Sequence, residues 1–285
     1  MIVITGATGR LGGAVLRELL DRVPASEIGV STTTPDAVRD LTDRGVRVRR
    51  GDYDDPSSLA HAFEGADRVL LISAPRIGQA ATDAHRIAID AARGAGVERL
   101  FYTSHVGADA LSPFPPAVTH AATEVMLRDS GVPFTALRNG FYADTPIRLI
   151  GDAVAHGELR LPADGPISWT THDDLAPAIA ALLLDPEVTE PVVNLTAGSA
   201  VDAEGLAEIA STVAGRPIPL RRIADEEYRA GLVAAGVPEM GAVMSLAIFQ
   251  AARQRRLGIV DPALESLIGR PSRALVDVVA PVQGR

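Results

Sequence analysis

The sequence predicts an α/β protein with a doubly wound parallel sheet and a smaller, mostly helical substrate-binding part on its C-terminal side. The chain opens with a short apolar strand, glycines at three-residue intervals and an amphipathic helix. This layout places a phosphate group at a helix N-terminus. Apolar runs and helical patterns then alternate up to about residue 140, as in Rossmann-type sheets with right-handed crossovers.

The predicted strands of this first half are short and rich in Val, Ile and Leu, as strands buried on both faces must be. They are Ile2–Thr5, Ile28–Ser31, Arg47–Arg49, Arg68–Ile72, Leu100–Thr103 and Phe134–Leu137. The helical patterns between them are Leu11–Asp21, Asp36–Asp43, Ser57–Phe63, Thr82–Gly94 and Val118–Asp129. Thr34 and Pro35 supply a helix start signal for the second of these.

The regular alternation ends after Asn139, where we expect the boundary between a NAD(P)-binding domain (1–140) and a substrate-binding part (141–285). The later predicted elements are helices Thr145–His156, Asp173–Leu184 and Asp202–Ala214, strands Val192–Leu195 and Ile218–Arg221, and a helical stretch 225–256 broken near Gly236 and Pro238. We expect at least one later strand to return to the sheet, and a substrate pocket at the sheet's carboxyl edge.

Composition narrows the function classes. The net charge of −9 argues against nucleic acid as a partner, and the absence of cysteine excludes disulfides and thiolate chemistry. No histidine or carboxylate pair has metal-binding spacing, so we expect no metal. The apolar runs are too short to span a membrane, and the first strand leaves no room for a signal peptide. We therefore expect a cytoplasmic monomer or homodimer that binds a small-molecule substrate and no membrane.

The glycine-rich turn is the candidate phosphate site. Its predicted cofactor-binding residues are Gly6, Thr8, Gly9, Arg10, Leu11 and Gly12, in the G-x-x-G-x-x-G spacing of short-chain dehydrogenases. An acid after the second strand would select NAD, but this chain has Ser31–Thr34 there. Without that acid, Thr33 and its neighbours can donate to a 2′-phosphate, with Arg10 as the candidate cation or an ordinary surface arginine. This favours NADP(H), with NAD(H) as the alternative.

Further cofactor contacts are expected where later strands end. Asp52 and Tyr53 follow the third strand, where the acid can accept from the adenine amino group or, alternatively, cap the next helix. Ser73 and Pro75 follow the fourth strand, where they would pass under the nicotinamide ribose, and Thr103 ends the fifth.

Several segments together resemble the NmrA-like branch of the atypical short-chain dehydrogenases, most of all its NAD(P)H:quinone oxidoreductase members. They are Gly6–Gly12, Gly51–Tyr53, Leu70–Ser73, Tyr102–Ser104, His120–Glu124, Leu137–Tyr142 and Leu267–Pro271. The chain departs from the resemblance at Thr33, where these members tend to carry a basic residue, and at Val125, where they tend to carry lysine. The resemblance implies a Rossmann-type fold and hydride transfer from a nicotinamide cofactor.

The catalytic candidates follow from what the chain lacks. All 27 basic residues are arginine, so the Tyr–Lys pair of common short-chain dehydrogenases cannot form. By the resemblance His120 faces the nicotinamide, at the place of the catalytic lysine of isoflavone reductases. We expect it to donate a proton near its ordinary pKa of roughly 6.5, with Glu124 one helical turn away to orient it. The alternative is that His120 only binds the cofactor. Tyr102, inside an apolar strand, is interpreted as core, and His85 as structural.

A flat substrate would need an aromatic pocket. His105, Phe141, Tyr142 and Trp169 are the substrate-binding candidates, although the same aromatic side chains also suit core packing. The leading hypothesis is an NAD(P)H-dependent oxidoreductase that reduces a quinone or a similar conjugated acceptor, which needs little acid catalysis. The alternatives are an NADP(H)-binding redox sensor without turnover, and a reductase or isomerase specific to one secondary metabolite.

Overall fold

The computed structural model describes residues 1–283 and confirms the predicted fold class. The strands are β1 (Ile2–Thr5), β2 (Ile28–Thr32), β3 (Arg47–Arg50), β4 (Arg68–Leu71), β5 (Arg99–His105), β6 (Phe134–Asn139), β7 (Phe141–Tyr142), β8 (Leu159–Leu161), β9 (Trp169–Thr170), β10 (Val192–Leu195) and β11 (Leu220–Arg222). The helices are α1 (Arg10–Leu20), α2 (Arg39–Asp43), α3 (Pro56–Phe63), α4 (Gln79–Gly94), α5 (Pro115–Asp129), α6 (Asp144–His156), α7 (His172–Leu184), α8 (Ala203–Ala214), α9 (Asp225–Ala234), α10 (Glu239–Ala252), α11 (Ala263–Ile268) and α12 (Leu275–Gln283).

Seven parallel strands form the main sheet, in the order β10-β6-β5-β4-β1-β2-β3. The chain reverses its winding direction between β1 and β4, which is the place where open α/β sheets bind ligands at their carboxyl edge. β10 comes from the second half of the chain and pairs with β6 in register from Val192–Ala136 to Leu195–Asn139.

The two faces of the main sheet have separate apolar cores. One contains side chains of α1, α7 and α11 together with those of β1, β2 and β10. The other contains side chains of α3, α4 and α5, with Phe63, Leu100 and Tyr102 fully buried. Both faces are therefore covered, which explains why the strands read as continuous apolar runs.

One predicted element differs in kind. The helix expected over Asp36–Asp43 is a 3-10 turn (Pro35–Val38) followed by the five-residue α2. Leu41 is the one residue of these two elements that is buried, and such a segment has too little apolar contact to stabilise a longer helix. The strand expected at Ile218–Arg221 lies at Leu220–Arg222.

The rest of the second half builds a third apolar core beside the carboxyl edge. Two small parallel sheets, β7 with β9 and β8 with β11, pack there with α6, α8, α10 and α12. The division into domains at residue 140 stays a prediction. In the described part of the chain, no helix combines the length and apolar character that crossing a membrane requires.

Candidate active site

The turn between β1 and α1 is shaped for close approach of a phosphate. Gly6 has a φ of +60°, and its carbonyl accepts the Gly9 amide at 3.0 Å. A Cβ on Gly12 would overlap that carbonyl oxygen, and one on Gly9 would lie 3.2 Å from it. Gly9 caps α1 without a side chain, so the first helix amides stay available to an anion.

The flanking residues of the turn have different surroundings. Leu11 is buried in the sheet core. Arg10 forms an ion pair with Asp144, the first residue of α6. The charge of Arg10 is thus engaged by the second half of the chain.

A cavity of about 290 Å³, here the first cavity, opens beside the turn. Its lining includes five predicted cofactor residues besides Gly6, namely Thr8, Thr33, Asp52, Tyr53 and Pro75. Arg10 does not belong to the described lining, whereas Arg76 does, held by Asp54 through two hydrogen bonds of 2.7 and 2.6 Å.

Asp52 and Tyr53, the candidate residues in the loop after β3, have defined hydrogen-bond partners. The Asp52 carboxylate accepts the Asp54 amide at 3.0 Å and contacts Arg50. Asp55, not Asp52, caps α3 through the Ser58 amide. The Tyr53 hydroxyl donates to the Ile72 carbonyl at 2.6 Å, so it joins the loop after β3 to the end of β4.

A second cavity of about 250 Å³ follows along the carboxyl edge. It is lined by Ile72, Ser73, Thr103, Ser104, His105, Phe114, Pro116, His120, Asn139, Gly140, Phe141 and Tyr142. The Thr103 hydroxyl accepts the Ser73 amide at 2.8 Å. Residues expected to hold the nicotinamide ribose and residues expected to bind substrate therefore share one cavity.

His120 is bonded to Tyr102 across the β5–α5 interface. The Tyr102 hydroxyl lies 2.8 Å from His120 Nδ1. Because a phenol is a better donor than an imidazole, we assign Tyr102 as the donor and Nδ1 as the acceptor. The proton of the neutral His120 ring is then on Nε2. Burial, followed by the nearby His105 and His85, holds the pKa of His120 well below 6.5. His120 is therefore neutral at pH 7, and the pH dependence expected near 6.5 is not supported by its surroundings.

His85 stabilises the loop after β4. Its Nε2 accepts the Ala74 amide at 3.0 Å, which places the proton on Nδ1, 2.9 Å from the Thr123 hydroxyl. Burial lowers the pKa of His85 to about 4. This neutral histidine fixes the backbone beside Ser73 and Pro75, both predicted cofactor contacts.

Glu124 contacts partners other than the expected one. Its carboxylate accepts the Ser104 hydroxyl at 2.6 Å and the Arg138 guanidinium at 2.9 and 2.6 Å. The Glu124 side chain is only 6% exposed. Its two oxygens are thus occupied by side chains of β5 and β6. The residue that orients His120 is Tyr102, which the sequence had indicated as core.

An aromatic cluster walls the second cavity. The ring of His105 lies 4.4 Å from that of Phe141 and 5.7 Å from that of Phe114. Burial lowers the pKa of His105 to about 4. Trp169 lies behind Phe141, buried in the third core with its Nε1–H on the Val201 carbonyl. Tyr142 is 39% exposed and lies at the rim.

Sequence reasoning missed Arg138 and Asn139, both at the end of β6. A polar pair that ends an otherwise apolar parallel strand is the signal that marks them. Within residues 1–283, no three His, Asp or Glu side chains are grouped so as to hold a metal ion.

Comparison with known proteins agrees with this geometry. Quinone oxidoreductase 2 of Escherichia coli strain K12 is 35% identical over 98% of each chain. The crystal structure of the NADPH complex of an E. coli NADPH-dependent quinone oxidoreductase superposes with a TM-score of 0.92, at 34% identity over 99% of this chain and 100% of that one.

The triphenylmethane reductase of Citrobacter sp., solved with NADP(H), gives a TM-score of 0.90 at 35% identity over 99% of both chains. The model of the NmrA-like family matches residues 1–264. The chain therefore belongs to the NmrA-like family.

Proposed function

We propose that this protein is an NADPH-dependent reductase that transfers hydride to a quinone or a similar flat, conjugated acceptor. The observation that carries the proposal is the second cavity, where the predicted nicotinamide contacts Ser73 and Thr103 share one space with His120 and the aromatic walls. The relatives, named for quinone and dye reduction with NADPH, support the same activity.

The cofactor assignment has local support in the chain. The turn can pack closely because Gly9 and Gly12 have no Cβ to meet the Gly6 carbonyl, and Gly9 leaves the first amides of α1 uncapped by a side chain, as a diphosphate site requires. Thr32 and Thr33 line the first cavity at the end of β2, where an NAD-selective carboxylate would stand. These residues would hold NADP(H), which supplies the hydride when bound.

The protein's own contribution is a neutral hydrogen-bond donor. Tyr102 holds His120 Nδ1, so Nε2–H, on the opposite side of the ring, can donate to an oxygen that gains negative charge. Reduction of a quinone to a hydroquinone consumes one hydride and one proton. Since His120 is neutral at pH 7, it stabilises the hydroquinone anion by hydrogen bonding, and water supplies the proton.

The substrate class follows because His120 is neutral and does not supply the proton. A simple ketone forms an alkoxide, a strong base that requires a proton donor during the reaction. A hydroquinone anion is a much weaker base and needs less help. We therefore propose quinones as better substrates than ketones of similar size. This reaction needs no partner other than the cofactor and a small-molecule substrate. The oligomeric state and the cytoplasmic location stay predictions.

The test follows NADPH oxidation with a panel of quinones and ketones. We expect quinone turnover without added flavin, at a rate that varies little between pH 6.5 and 8. His120→Ala should lower kcat by about tenfold to a hundredfold, the value of one hydrogen bond to a charged oxygen, while His156→Ala, which changes an exposed histidine, should not. Tight NADP⁺ binding without turnover of any acceptor would contradict the proposal and favour the redox sensor.

A further inference from the structure

The side chain of Asn139 is buried without a partner. Asn139 is 2% exposed, and neither its Oδ1 nor its Nδ2 makes a hydrogen bond within residues 1–283. Its main chain is satisfied, because its carbonyl accepts the Val106 amide at 2.8 Å. A buried amide group without partners costs about 1–3 kcal/mol for each unsatisfied group. Such a residue at the edge of a cavity indicates a ligand that completes it.

The neighbouring polar groups are already engaged. Thr103 accepts from Ser73, Ser104 donates to Glu124, and the Tyr102 hydroxyl occupies His120 Nδ1. The Tyr142 phenol lies near the amide, close enough for Asn139 to affect its pKa, but the pair does not reach hydrogen-bond geometry. Asn139 lines the second cavity, so that cavity is the place from which a partner can reach it.

The chemistry of the amide selects the partner. Oδ1 requires a donor and Nδ2 an acceptor, side by side on one group. A quinone offers acceptors only and would leave Oδ1 bare, whereas a primary carboxamide offers both. His105 also has two unpartnered ring nitrogens, but they point away from each other and cannot meet both groups of one amide.

We propose that Asn139 binds the carboxamide of the nicotinamide ring through a pair of amide–amide hydrogen bonds. This inference rests on the proposed function because it takes NADP(H) as the cofactor. It makes Asn139 the residue that fixes the rotation of the ring in the second cavity. Loss of that contact should weaken binding of the whole cofactor but leave its adenosine half unaffected.

The experiment measures binding by calorimetry without an acceptor. The wild type should bind NADP⁺ several-fold more tightly than the 3-acetylpyridine analogue, which lacks the amide N–H. Asn139→Leu should lose about tenfold in NADP⁺ affinity, keep its affinity for adenosine 2′,5′-bisphosphate, and no longer distinguish the analogue. Tyr142→Phe should still distinguish it, because the phenol is not the partner of the amide.

Equal losses for NADP⁺ and the bisphosphate in Asn139→Leu would overturn the inference. Unchanged NADP⁺ affinity with a raised KM for quinone would also overturn it and assign Asn139 to the acceptor. The wild-type comparison of NADP⁺ with the analogue requires no variant, so equal affinities there reject the inference even if Asn139→Leu fails to fold. Selective NADP⁺ binding in a wild type that reduces no acceptor would support the carboxamide contact and reject the proposed function.

Discussion

The substitution Glu124→Gln tests whether Glu124 stabilises the fold or serves His120. In the structure, the carboxylate receives two hydrogen bonds from Arg138 and one from Ser104, with 6% of the Glu124 side chain and 28% of the Arg138 side chain exposed. Glutamine removes the charge that Arg138 faces, while keeping the shape and one acceptor.

The magnitude follows from this burial. Removing one partner of a buried ion pair costs about 3–5 kcal/mol. Because Arg138 is 28% exposed and glutamine still accepts one hydrogen bond, we expect about 2–3 kcal/mol. For a chain of this length, each 1 kcal/mol lowers Tm by about 2–4 °C, so Tm should fall by about 4–12 °C.

The assay is urea denaturation of a double-mutant cycle with Arg138→Met. Direct contact predicts a coupling free energy of about 0.5–3 kcal/mol. Glu208→Gln, at an exposed position on α8, should change stability by no more than about 0.5 kcal/mol. An unchanged Tm in Glu124→Gln, together with a hundredfold loss of kcat, would refute this reasoning and restore the sequence-based role beside His120.

The remaining predictions concern the turn, a buried histidine and the cofactor. Gly9→Asp should abolish NADPH binding, because a carboxylate there meets the diphosphate site and the Gly6 carbonyl. Gly94→Asp, where a Cβ has open space, is the control. If calorimetry shows unchanged NADPH affinity in Gly9→Asp, the turn is not the diphosphate site. The pKa of His85 in the folded protein is about 4, below its unfolded value. Its contribution to the free energy of unfolding is therefore complete above pH 6.5 and is lost as the pH falls toward 4, by up to about 3 kcal/mol. His85→Gln should make the decline of the urea midpoint between pH 7 and 5 shallower, and an unchanged slope would contradict this. Arg10→Ala should change the affinities for NADPH and NADH by the same factor, because Arg10 is paired with Asp144 and is not among the residues that line the first cavity. A loss confined to NADPH would restore its predicted role at the 2′-phosphate.

Most of the sheet could be predicted because strands buried on both faces appear in the sequence as continuous apolar runs. All six strands predicted in the first half are present, with ends shifted by at most two residues. The segment around α2 was predicted less well, since Leu41 is its single buried residue and pattern alone overstates its helix. Local signals therefore predict best those elements that tertiary packing also requires.

The sequence predicted where the candidate site lies on the sheet, but not which side chains in it are hydrogen-bonded to one another. The carboxyl-edge position of Ser73, His105 and His120 follows from strand order. The Tyr102–His120 bond spans 18 residues and depends on how α5 lies on β5, which no local pattern encodes. The sequence of an apolar strand does not indicate whether the hydroxyl of its tyrosine forms a hydrogen bond to a histidine.

The return of β10 to the main sheet has a consequence for synthesis of the chain. The core that packs under β1 and β2 includes Leu175, Ile179 and Leu195, which leave the ribosome long after the glycine turn. An emerging fragment that ends near residue 140 exposes the apolar face that α7 later covers, and it leaves the β6 edge unpaired. Such an edge invites association with other chains. The apolar core beneath the first cavity is thus incomplete until β10 has been made and has paired with β6, and we expect the nascent chain to expose an aggregation-prone surface until then.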